Sequence, residues 1–200
     1  VDGGIHFTVI DPSQDPSPFT AVVVPDAGSA DDALTGKLAR YVENGGRVLV
    51  FGRPSAAMAR VLGIDVQPKA EAAYIRVDPE VLPAPPATDL YTYLETSPAR
   101  LLPGTDMLAP LVWPMSHGTN HISRRQSPPM DEVSGLAAIT HCRVGQGQAV
   151  YCAAALPEVY ARWGYVAMRQ VITDLLDRMI PPEKRLADVR PEALATSFAV

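Results

Sequence analysis

Cysteine, histidine and long apolar runs are all scarce in this 200-residue chain, and each scarcity removes a class of protein. Two cysteines, Cys142 and Cys152, cannot staple a disulfide-dependent scaffold. The longest apolar runs, "AVVV" and "VYCAAAL", fall far short of the roughly 20 residues that span a bilayer, so no membrane partner is expected. Positive charge is also thin. The formal net charge is −5, and "SRRQ" at 123–126 supplies only one arginine pair, so a nucleic-acid partner is not expected. No internal repeat is present. What remains is 47% hydrophobic and 20% charged, the composition of a folded chain with a normal core.

The segment "FTAVVVPD" (19–26) is a short continuous apolar strand, the kind covered on both faces in a parallel sheet. Helix punctuation follows. Ser29 or Asp31 suits the cap, acidic residues crowd the first turn, and Leu34, Leu38, Tyr41 and Val42 form one apolar stripe before Gly45-Gly46 ends it. "RVLVFG" (47–52) is the next buried strand, which completes a βαβ unit. "IHFTVI" (5–10) and "AYIRV" (73–77) also read as strands. "TDLYTYLE" is a short periodic piece within the Pro-rich residues 79–103, and residues 104–134 make a long irregular segment of the kind that serves as a functional loop or contact surface. "LAAITHC" and "QAVYCAA" then form a hairpin around Gly-Gln-Gly. Its register decides whether the cysteines lie opposite or diagonal, and the spacing leaves both open. Tyr165 to Ile180 carries the clearest helical pattern, stopped by Pro181-Pro182. The chain opens and closes on strand-like segments, so it is expected to be part of a longer polypeptide, with residues 1–182 as the domain and 183–200 as a linker or the start of a following β segment.

Candidate chemistry gathers at few places. The corner Gly52-Arg53-Pro54-Ser55 leaves a buried strand where α/β enzymes place a nucleophile. A nucleophile elbow needs a small-x-nucleophile-x-small pattern, and Pro54 stands directly before Ser55. The plain alternative is a strand-to-helix turn with Ser55 as the helix cap. His117 and His121 in "HGTNH" have helical metal-pair spacing, but Gly118 and Asn120 oppose a helix and no third ligand is near, so a polar loop is the simpler reading and no metal is expected. "VGQGQ" resembles half of a phosphate loop, yet it joins two strands and offers no helix N-terminus. Tyr160, Trp163 and Tyr165 cluster ahead of the last helix, either as core or as an exposed anchor.

These pieces in this order carry a resemblance. "FTAVVVPDAGSADDALTGKLARYVENGGRVLVFG" resembles the strand-helix-strand of the class I glutamine amidotransferase-like fold. It is most similar to the version found as the β-galactosidase trimerisation-type domain and in related hypothetical glycosyl hydrolases. "SPPMDEVSGLAAITHCRVGQGQAVYCAAALPEVYARWGYVAMRQVITDLL" is similar to the second half of that group. The resemblance implies an α/β fold: a flavodoxin-like three-layer sandwich with a mainly parallel central sheet and a C-terminal β-hairpin plus helix. It also implies a non-catalytic domain of a multidomain glycoside hydrolase that holds subunits together. The expected partners are the parent chain and a homo-oligomer, with carbohydrate reached through the parent, no cofactor, and the cytoplasm favoured as location. Amidotransferases of this fold carry a catalytic Cys after the "VLVFG" strand. Arg53, Pro54 and Ser55 stand there instead, so no catalytic residue carries over. A Ser55 hydrolase using His117 or His121, and a sugar-binding module built on the 104–134 loop and the aromatic cluster, are the competing expectations.

Overall fold

A computed structural model describes residues 7–82, 89–115 and 128–180. The chain lays down β1 (Val22–Val24), α1 (Asp32–Glu43), β2 (Arg47–Phe51), α2 (Ala56–Val61) and β3 (Ile64–Val66). Then come β4 (Tyr74–Ile75), β5 (Leu90–Tyr91), β6 (Ala99–Leu101), β7 (Thr105–Pro114), β8 (Met130–Val144), β9 (Gly147–Cys152), α3 (Leu156–Trp163) and α4 (Val166–Met179). Asp31 caps α1 by accepting from the Leu34 N–H at 2.7 Å, and Leu38, Tyr41 and Val42 are buried along its inner stripe. The helix expected over 165–180 is α4.

All nine strands among the described residues join one sheet, whose main path runs β1-β2-β9-β8-β7-β4-β5, with β6 bonded to β8 and to β3. Among the described residues only β1–β2 and β2–β9 are parallel; every other pairing is antiparallel. The expectation of a flavodoxin-like sandwich with a mainly parallel sheet is therefore wrong. The sheet is mixed and strongly curled into a half-barrel, with four α-helices among the described residues.

The reason lies in the connections. A parallel neighbour needs a crossover of a dozen or more residues, whereas a hairpin gives an antiparallel one. After β2 the chain makes one six-residue helix, and between β3 and β9 no helix occurs among the described residues. The β7–β8 ladder also shifts register four times between Met107 and Pro114, and such bulges bend and twist a sheet. Residues 104–134, expected to be irregular, thus supply β7 and the start of β8. The described part of "IHFTVI", residues 7–10, is not in a strand, and residues 183–200 lie outside the described residues.

Strand alternation splits the core in two. Leu49, Phe51, Val150 and Cys152 point to one face, beneath Leu156, Val159, Met168, Val171 and Leu175 of α3 and α4. Val48, Val50, Ala149 and Tyr151 point to the other, beneath Leu38 and Val42 of α1 and Met58 of α2. β2 and β9 are thus covered on both sides, which is why their centres are continuously apolar.

The Gly-Gln-Gly turn has a steric explanation. Val144 pairs with Gly147, so the loop has two residues, Gly145-Gln146. A Cβ on Gly147 would lie 2.1 Å from the Gly46 carbonyl oxygen and 2.2 Å from that of Val42; one on Gly145 would lie 2.5 Å from the Glu43 oxygen. The glycines let the hairpin approach the end of α1, where the Gln146 and Gln148 N–H groups donate to Glu43 and Gly46. In this register Cys142 sits opposite Ala149 and Ile139 opposite Cys152. The cysteines therefore face opposite sides of the sheet as free, buried thiols, and neither register weighed from the sequence is the observed one.

Candidate functional site

The corner after β2 lies at the carboxyl ends of the parallel strands, where open α/β sheets place their ligands. Gly52 has φ +78° and its N–H donates to the Cys152 carbonyl at 3.1 Å. Arg53 is exposed and its guanidinium donates to the Gln67 carbonyl at 3.1 Å, while Pro54 is buried. Ser55 is the N-cap of α2: its Oγ accepts from the Met58 N–H at 3.2 Å. The side chains at the corner therefore join the turn to neighbouring backbone. Beneath it Tyr151 is fully buried, its hydroxyl donating to the Ser97 carbonyl, and burial holds its phenol well above the ordinary range.

His117 and His121 lie outside the described residues. The strand histidine His141 is half-buried, with Nε2 2.9 Å from Gln148 Oε1 and Nδ1 3.8 Å from the Asp106 carboxylate. Among the described residues no three His, Cys, Asp or Glu side chains group to hold a metal, and no helix is long and apolar enough to cross a membrane.

The aromatic residues behave differently. Tyr160 is half-buried and packs on the core under α3 and α4. Trp163 and Tyr165 turn outward, 45% and 37% exposed, because Gly164 ends α3 in the left-handed conformation, φ +67°, and swings the chain into α4. They meet Tyr93, which the sequence reading passed over. The Tyr93 ring stacks on Tyr165 at 4.7 Å and 17°, lies 5.8 Å from Trp163, and takes Tyr91 edge-on at 5.0 Å. Tyr74 continues the row at 4.9 Å from Tyr91, its hydroxyl donating to the Pro128 carbonyl. The repeated tyrosine of "YTY" was visible, but Tyr93 lies past the end of β5, so strand alternation could not place it.

Tyr93 is also the one non-glycine residue with positive φ, +58°, among the described residues. Leu94 N–H donates to Thr92 O across it at 2.7 Å, which makes a strained three-residue turn. Thr92 holds that turn from within: its buried hydroxyl accepts from Ala73 N–H and donates to Leu94 O, both at 3.0 Å. The neighbouring Tyr93 raises the Tyr165 phenol above its ordinary value.

A groove of about 460 Å³ lies elsewhere, lined among others by Ser13, Asp15, Ser17, Lys37, Arg40 and Asn44. Lys37 closes its floor by donating to the carbonyls of Pro12 and Gln14.

Curled mixed sheet, paired helices and cap-occupied corner define an α/β domain, and three of its likenesses among solved structures are to domain-sized parts of larger chains. The α-L-fucosidase isoenzyme 2 of Paenibacillus thiaminolyticus matches over 90% of this chain and 28% of its own, at TM-score 0.74 and 21% identity. The cold-adapted β-galactosidase of Rahnella sp. R3 matches over 88% of this chain and 25% of its own, at TM-score 0.63 and 17% identity. The polyextremophilic β-galactosidase of the Antarctic haloarchaeon Halorubrum lacusprofundi matches over 88% and 24%, at 0.57 and 19%. This chain thus spans about a quarter of the length of each. At these identities the likeness is one of fold. No family model and no curated protein matches the sequence.

Proposed function

We propose that this chain is a non-catalytic domain of a glycoside hydrolase, serving subunit assembly or interdomain packing. The observation that carries the reading is the fold likeness: nearly the whole chain superposes on about a quarter of several chains whose names are those of glycoside hydrolases. The corner supports the non-catalytic half of the proposal, because the Ser55 hydroxyl oxygen caps α2 and Arg53 binds a backbone carbonyl. Chemistry in such a protein would then belong to other parts of the parent chain.

Two measurements on the purified chain test this. Light scattering is expected to give a mass above that of one chain, or complex formation with the remainder of the parent. Assays on p-nitrophenyl glycosides and esters are expected to give no turnover. A strict monomer with no affinity for the remainder, or ester hydrolysis abolished by Ser55→Ala, would overturn the proposal.

A further inference from the structure

We infer that Tyr93, Trp163 and Tyr165 form a carbohydrate-binding platform that takes the apolar face of a pyranose ring. The inference stands on this cluster alone and does not depend on the activity of any parent chain.

Three observations carry it. First, the rings are organised before any ligand arrives. Tyr93 and Tyr165 are stacked at 4.7 Å, and Trp163 lies 6.4 Å from Tyr165 with its plane tilted by 28°. A fixed aromatic surface loses little conformational entropy on binding. Second, Tyr93 is delivered by a backbone in the left-handed region, which is costly for a tyrosine and persists only where surrounding structure enforces it. Buried Thr92 does the enforcing. A tyrosine that only filled core space would need no such turn.

Third, the size and rim suit a sugar better than a protein. Aromatic side chains of about 150–250 Å², exposed to this extent, leave on the order of 200 Å² of ring surface open. A stable protein interface takes about 800 Å² from each partner. The open area is close to that of one or two sugar rings. Around it stand polar groups of both signs: the Arg162 guanidinium lies 5.9 Å from the Trp163 ring centre and is held by Glu158, one helical turn back. A pyranose presents C–H groups on one face and hydroxyls at its edge, so it meets an aromatic surface and a charged rim together. The rim also weighs against a purely apolar occupant, whose contact would strip Arg162 and Glu158 of water.

The test uses the full chain with Trp113→Phe as background, so that Trp163 is the sole indole reporter. Titration with cellotetraose, β-1,4-galactotetraose and β-1,4-mannotetraose is followed by tryptophan fluorescence and by saturation-transfer NMR. At least one probe is expected to give a saturable blue shift. In the Trp113 background that signal reports on the indole, and NMR measures the variants that lack it. Trp163→Ala is expected to weaken binding about tenfold or more, while Trp163→Phe, which keeps an aromatic face and the fold, retains most of it. No saturable response to any probe, or unchanged affinity in Trp163→Ala, would overturn the inference. So would a Trp163→Ala chain whose mass by light scattering falls below that of the parent, since the platform would then be a contact between chains.

Discussion

The parallel strands and the antiparallel outer strands of the one sheet solve the same burial problem in different ways. In β2 and β9 nearly every residue is buried, because α1 and α2 cover one face and α3 and α4 the other. Their sequences read as uninterrupted apolar runs. In β7 and β8 the register slips repeatedly, Pro110 and Pro114 sit within the strand, and Met107, Met130 and Val133 face solvent. The comparison teaches that mechanical definition here follows from two-sided cover rather than from strand length. β8 has 15 residues and is exposed over its first half, while the three residues of β1 lie against a fully buried neighbour.

Substitutions can break this comparison. Phe51→Ala empties a fully buried site in the parallel core and should cost about 3–5 kcal/mol, whereas Met130→Ala on the outer strand should stay within about 0.5 kcal/mol; paired urea titrations measure both. Equal losses would dissolve the distinction. Gly147→Ala places a methyl against two backbone carbonyls that cannot retreat without moving α1, and about 3 kcal/mol is expected, read from the same unfolding curves. If it is tolerated, the hairpin is not clamped to the helix.

The two thiols probe the two faces by pH. Burial pushes Cys142 up to about 11 and Cys152 up to about 12 from an ordinary value of 9.0, so the neutral thiol is favoured in the folded state. Their contribution is complete below pH 9 and is lost as pH rises toward 11–12, with the buried tyrosines adding to the loss from about pH 10. The urea midpoint should therefore fall between pH 8 and about 9.5, and the Cys142→Ala/Cys152→Ala double variant should flatten that slope. A slope unchanged in the double variant would show that neither thiol is the source. A smaller effect than in the core or the hairpin is expected at the corner. Ser55→Ala removes the cap of a six-residue helix and should cost about 1 kcal/mol by thermal or urea unfolding. A much larger loss would mean that the hydroxyl has a further partner.

Local signals were legible where chemistry between near neighbours decides. Asp31 as cap, the Leu38-Tyr41-Val42 stripe, the strand at 47–51, the Gly-Gln-Gly turn and the last helix all follow from residues within a few positions of one another. The reading of Ser55 as a helix cap belongs with them. Trp163 and Tyr165 could be picked out as a pair but not oriented, since only their contact with Tyr93, about 70 residues earlier, shows which rings turn outward. Thr92 illustrates the limit well: nothing in "YTYLE" announces that a buried threonine holds the next residue in a left-handed turn.

By itself, then, the sequence determined which segments are apolar on one face or two, where helices begin, and that the corner after β2 lacks a cysteine nucleophile. The tertiary structure alone decided the curl and the mainly antiparallel pairing of the sheet, the separation of Cys142 from Cys152 onto opposite faces, and the assembly of the aromatic platform. The physical reason is common to all three. Strand direction, hairpin register and ring contacts depend on which distant segments are brought to pair, and the alternation that marks a buried strand is the same whichever neighbour it finds.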